Sequence, residues 1–187
     1  MSDSIYSSLF IILLFLWAAL SLIYWSFRLG ITPTPTSPSV KKSLLTLIPQ
    51  QVCGEIHELG SGWGHLLPAI KKQCPNNTLN AHERSPLPRL FSQILTLLFK
   101  TPVNISSQDI FEVDLSKSGL VFCYLYPGAM KKLATHFKST LPENCWIISH
   151  TFRLPGWTPI KTIQANDLYK TPIYLYKKSA NSATILK

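Results

Sequence analysis

The stretch Glu55-Ile56-His57-Glu58-Leu59-Gly60-Ser61-Gly62-Trp63-Gly64 decides the fold of this 187-residue chain. It reads as a strand that delivers a carboxylate, Glu58, into a turn with glycine at every second position. A parallel strand ending in a glycine-rich turn lets backbone N–H groups and the start of the next helix approach a ligand closely, because no Cβ intervenes. Dinucleotide folds favour G-x-G-x-x-G, whereas Gly60, Gly62 and Gly64 follow G-x-G-x-G. Glu58, two positions before the first glycine, can face a cationic ammonium.

Helices and strands alternate on both sides of this loop. Upstream, Leu44, Leu45 and Ile48 recur at helical spacing over Val40 to Ile48 behind Ser39, a candidate N-cap. Downstream, His65 to Gln73 predicts a helix stopped before Pro75, Thr78 to His82 a second strand, and Pro88 to Phe99 a second helix. A short strand follows at Val103 to Ser106. Leu120 to Leu125 is continuously apolar, as in a parallel strand buried on both faces. Ala129 to Phe137 predicts a helix and Cys145 to Ser149 a fifth strand. Ile160 to Gln164 and Ile173 to Tyr176 make a terminal antiparallel pair, and the last residues, 179–187, form a polar tail expected to be mobile. The succession predicts an α/β, doubly wound, Rossmann-like sheet.

In such a sheet a ligand sits outside the carboxyl ends of the strands. The second strand ends in Glu83, where a carboxylate can accept from both hydroxyls of a ribose. The third is followed by Asp109, placed to accept from the exocyclic amine of an adenine. His57 and His65 read as packing or capping residues. His150 and Arg153 flank the fifth strand, near the expected pocket. A serine hydrolase is disfavoured, because G-x-S-x-G is absent.

Ile5 to Phe27 holds 23 residues without a charge, enough at ~1.5 Å per residue to cross a ~30 Å hydrocarbon core. A cleaved signal peptide is the weaker reading, since no Lys or Arg precedes the run and no A-x-A-like site closes it. All 18 Lys and Arg lie after it, against eight of the nine acidic residues. Positive-inside sorting then puts the C-terminal part in the cytoplasm, and the basic surface suits anionic lipid or an acidic partner. The bases are scattered rather than interleaved with aromatics, so nucleic acid is not expected. Gly30 to Ser39 is a stiff proline- and threonine-rich linker. Cys53, Cys74, Cys123 and Cys145 form no C-x-x-C and suggest neither zinc nor a disulfide framework. The expected organisation is an anchor over 1–28, a linker over 29–39 and one domain over 40–178.

The loop Glu58 to Gly64, with Glu83 and Asp109 in this order, resembles motif I and its partners in the seven-β-strand S-adenosylmethionine-dependent methyltransferases. The resemblance implies a seven-stranded sheet, S-adenosylmethionine as cofactor, and Glu58, Gly60, Ser61, Gly62, Gly64, Glu83 and Asp109 as its contacts. Trp63 departs from the family pattern, and a ring there would cover the cofactor or alter its affinity. Thr34-Pro35-Thr36-Ser37-Pro38, Tyr124-Leu125-Tyr126-Pro127 and Phe152-Arg153-Leu154-Pro155-Gly156-Trp157-Thr158-Pro159 are similar to the membrane-anchored methyltransferases related to the ATP synthase c-subunit lysine methyltransferase. That likeness implies a protein lysine as acceptor, at the cytoplasmic face of a membrane. A lysine must shed its proton before methylation, which an apolar aromatic slot promotes, and Tyr124, Tyr126 and Trp157 are the candidates for that slot. A quinone or lipid headgroup as acceptor, or a non-catalytic membrane-tethered module, are the competing readings. With no Arg-rich amphipathic opening, a bacterial inner membrane is a simpler expectation than a mitochondrial one.

Overall fold

The structure is a computed structural model that describes residues 2–30 and 34–179, the side chains from residue 5 onward. Linker residues 31–33 and tail residues 180–187 lie outside the described residues. Helix α1 (Ser2–Leu29) and α2 (Pro38–Leu45) precede an alternating series: β1 (Glu55–Leu59), α3 (Leu67–Gln73), β2 (Leu79–His82), α4 (Pro86–Leu98), β3 (Asn104–Ser106), β4 (Ser118–Cys123), α5 (Pro127–Thr140), β5 (Trp146–His150), β6 (Lys161–Gln164) and β7 (Pro172–Lys177). The seven strands form one sheet in the order β3, β2, β1, β4, β5, β7, β6. β7 inserts antiparallel between β5 and β6, and the other pairings are parallel. The chain winds outward from β1 in both directions, so the gap between β1 and β4 is the topological switch point.

Both faces of the sheet are covered. Leu120 and Phe122 of β4 point into one core with Val40 and Leu44 of α2 and Leu67 and Ile70 of α3. Val121 and Cys123 point into the other, against Met130, Leu133 and Phe137 of α5. This alternation is why β4 reads as an unbroken apolar run.

Four helices begin with proline in the first turn, where a missing N–H costs nothing and φ is preset. The sequence expectation placed the starts of α2, α4 and α5 behind those prolines and is corrected by up to two residues. The cap of α2 is Ser37, whose Oγ accepts from Val40 N–H at 3.3 Å, and not Ser39. Helix α3 starts two residues later than expected, because Gly64 and Leu66 still close turns. Strand β4 stops at Cys123, so Tyr124 and Tyr126 sit in the loop beyond it, and β5 runs on to include His150.

Candidate active site

A cavity of about 330 Å³ opens at the switch point, lined by Glu58, Gly60, Ser61, Gly62, Glu83, Asp109, Tyr124 and Tyr126 among others. Sheet register brings them together. Leu59 pairs with His82 on one side and Cys123 on the other, and Cys123 pairs with Ser149. The ends of four strands therefore meet the cavity at one level. The N–H groups of Gly60 and Ser61 donate to the His82 carbonyl at 2.9 and 3.1 Å, and Glu83 N–H donates to the Ser106 carbonyl at 2.9 Å.

The glycine loop is held by Glu83. Gly62 N–H donates to Glu83 Oε2 at 2.8 Å and Ser85 N–H to Oε1 at 2.7 Å. Each carboxylate oxygen keeps a second lone pair for a ligand hydroxyl. Gly62 has φ 54° and nothing within 4 Å of where a Cβ would stand, so open space meets its backbone. Gly64, φ 73°, is different: a Cβ there would strike Ser92 of α4. It does not line the cavity and serves loop packing. Trp63 does not cover the site either; its ring packs edge-on to Phe91 at 5.4 Å.

Glu58 is 6% exposed, and its Oε2 has no protein partner. Burial, and then the charge of Glu83, push its pKa up to about 8, with Lys41 opposing. Ser61 Oγ, His82 Nδ1 and His150 Nε2 are also buried without a protein partner. All four residues line this cavity. Buried polar atoms are normally satisfied, and these four are placed where a polar ligand in the cavity could bond them, whereas the other five such atoms among the described residues belong to residues that do not line it.

Asp109 lines the cavity, but each of its oxygens already has a protein partner. Its Oδ2 takes Arg84 at 2.5 Å and its Oδ1 accepts from Phe111 N–H at 3.1 Å. Arg84 escaped the sequence reading, since its partner is 25 residues away. So did Arg28, Leu29, Thr34 and Thr36, which bring the end of α1 and the linker into the cavity wall. Neither carried a local signal in the sequence.

Tyr126 precedes α5 and lines the cavity, its ring 3.1 Å from the Cβ position of Gly30. Tyr124 stacks on His150 with ring centroids 4.1 Å apart. Burial lowers the His150 pKa to about 4, so the ring is neutral. Its Nδ1 lies 3.2 Å from Thr151 Oγ1, and Thr151 has φ 66°, a strained conformation for a β-branched residue. Trp157 is not brought to the cavity. Its indole N–H donates to the Ala134 carbonyl at 2.9 Å and its ring meets Tyr176 edge-on, so it packs α5 against β7. Arg153 lies over the Tyr174 ring at 5.3 Å. His57 and His82 stack, Nδ1 to Nε2 at 3.2 Å, and burial lowers both pKa values.

A family model of the ANTKMT methyltransferase domain matches residues 58–161, from Glu58 to the first residue of β6. The chain belongs to that family. As an ANTKMT-type methyltransferase it is similar to a protein-lysine N-methyltransferase of Saccharolobus islandicus (strain REY15A), 24% identical over 147 residues that cover 76% of this chain and 90% of the relative. Among solved structures, an RNA methyltransferase from Salinibacter ruber in complex with S-adenosyl-L-homocysteine superposes with TM-score 0.66 at 23% identity, covering 77% of this chain and 93% of that one. Magnesium protoporphyrin IX methyltransferase from Synechocystis PCC 6803, with bound S-adenosylmethionine, superposes with TM-score 0.56 at 14% identity, covering 75% and 77%. These two share the fold of the ANTKMT-type domain.

Proposed function

We propose that this protein is a membrane-tethered S-adenosylmethionine-dependent methyltransferase that methylates a protein lysine at the cytoplasmic face, in a bacterial inner membrane. The observation that carries the cofactor is the set of unpartnered buried atoms at the glycine loop and the end of β2, Glu58 Oε2, Ser61 Oγ and His82 Nδ1. The residues fit the donor: Glu58 would face its ammonium, the Gly60 to Gly62 backbone would meet its carboxylate end, Glu83 would hold its ribose and Asp109 its adenine. Bound S-adenosylmethionine would supply an electrophilic methyl on a sulfonium that leaves as a neutral thioether. Alignment of donor and acceptor accounts for much of the acceleration of such a displacement.

The lysine reading rests on the ANTKMT family match and the Saccharolobus relative. Tyr124 and Tyr126 offer ring faces to a lysine ammonium. His150, neutral by burial, adds no repelling charge and leaves Nε2 to accept a hydrogen bond from the amine. The tether is α1, whose segment Ile5–Leu29 is long and apolar enough to cross a membrane. Residues 1–28 then form the anchor, 29–39 the linker, with α2 starting inside it, and 40–178 the catalytic domain.

The test is to incubate the full chain with membranes and methyl-labelled S-adenosylmethionine. Label recovered as N-methyllysine after acid hydrolysis of protein supports the proposal. Label confined to the solvent-extracted lipid fraction would replace the lysine with a quinone or headgroup. No transfer by a folded, donor-binding protein would leave a non-catalytic module.

A further inference from the structure

Helix α4 is built inside out. Its buried residues are Pro88, Ser92 and Thr96, four apart, so small and hydroxyl side chains face the protein. The opposite side carries Leu90, Phe91, Ile94, Leu97 and Leu98, all exposed, Leu97 by 78% and Leu98 by 72%. α4 contributes nothing to either hydrophobic core. A helix bathed in water turns its apolar stripe inward, and a contiguous apolar face turned outward marks a surface with an apolar partner.

The neighbouring helix indicates which partner. In α1, Ile5 to Trp17 are exposed all round, whereas Ala18, Ser21, Leu22, Trp25, Ser26 and Leu29 are partly covered at helical spacing, and α1 packs beside α4. Ile5 to Trp17 extends roughly 20 Å, short of the roughly 30 Å needed to cross hydrocarbon. If α1 spans, the remaining depth falls on the part of α1 that lies beside the domain. We infer that the outward face of α4 lies in the lipid interface of the same leaflet, as a second, in-plane membrane contact. This rests on reading α1 as the membrane span. An amphipathic helix in this position sits ~5–10 Å into the headgroup boundary. Exposed Lys100 directly after α4 and a net charge of +9 suit anionic headgroups.

The experiment uses the full chain with Cys53→Ser, leaving Cys74, Cys123 and Cys145 buried. Single cysteines at Leu13→Cys, Leu97→Cys or Thr162→Cys carry an environment-sensitive fluorophore in nanodiscs of phosphatidylcholine and phosphatidylglycerol, with or without spin-labelled lipids. All three positions are exposed, so the labels displace no core. The inference expects a blue shift at 97 with quenching by shallow spin labels, quenching at 13 by deep ones, and neither at 162. If 13 is quenched while 97 behaves like 162, the α4 contact is wrong, the anchor stands, and a partner protein is left to cover that face. If 13 is not quenched, the anchor fails and takes the inference with it.

Discussion

Gly62 N–H donates to Glu83 Oε2 across 2.8 Å, so the carboxylate that ends one strand's loop fixes the conformation of another's. Because its oxygens serve both the loop and the proposed ribose, Glu83→Ala removes charge-assisted bonds worth ~1.5–3 kcal/mol each. Affinity for S-adenosylmethionine is expected to fall at least roughly tenfold, by calorimetric titration. Unchanged affinity in a folded variant would remove Glu83 from the site.

Glu58 makes donor binding proton-linked. Its pKa is raised from 4.5 to about 8 in the ligand-free protein, and an incoming ammonium favours the carboxylate. Between about pH 5 and pH 8, binding therefore releases protons, readable as a dependence of titration enthalpy on buffer ionisation enthalpy. Glu58→Gln abolishes the dependence. The native state holds a proton that the unfolded chain gives up, so ligand-free stability is full below pH 4.5 on this account and falls as pH rises through about 8. The Gln variant has a flatter profile of Tm against pH.

Substitutions at His150, stacked on Tyr124, should separate effects on the acceptor from effects on the donor. His150→Phe keeps a ring against Tyr124 but removes Nε2. It is expected to bind S-adenosylmethionine as the parent does while kcat drops roughly 10- to 100-fold, the lower reaches of what a positioned polar group supplies. Thr151→Gly relieves the positive φ but loses the contact to His150 Nδ1. Its Tm should hold while turnover falls. A fall in donor affinity matching the loss in kcat, in either variant, would place His150 with the cofactor.

Two glycines of one loop should fail differently. Gly64→Ala meets Ser92 and a left-handed backbone, costing about 1–3 kcal/mol of stability. Gly62→Ala meets no protein atom, so beyond its backbone strain the methyl stands where the donor lies. Thermal melts with and without S-adenosylmethionine distinguish them: Gly64→Ala lowers both Tm values, and Gly62→Ala chiefly shrinks the gap between them.

All seven strands were legible because β-period and buried-run patterns are local, and the glycine loop because its spacing is. Helix starts were less so: Pro38, Pro86 and Pro127 are first-turn residues that stand two positions ahead of the expected starts. Trp157 misled because an aromatic in a Pro-Gly loop carries no sign of direction, and its indole found a carbonyl on α5. The Arg84 clasp on Asp109 depends on the register of β2 with β3, which residue types alone do not specify. The inverted face of α4 was readable in principle, as Pro88, Ser92 and Thr96 recur every fourth residue while Leu90, Phe91, Ile94, Leu97 and Leu98 fall on the other side.

Arg28 and Leu29 end α1 and line the same cavity as Glu58 and Tyr126. With α1 in the bilayer, the catalytic pocket is pinned at one height above the hydrocarbon, with Gly30 against the Tyr126 ring leaving little slack for it to swing. On the proposed reading the enzyme would then work as a depth gauge, and the lysines within its reach would be those that emerge at that height above the membrane plane.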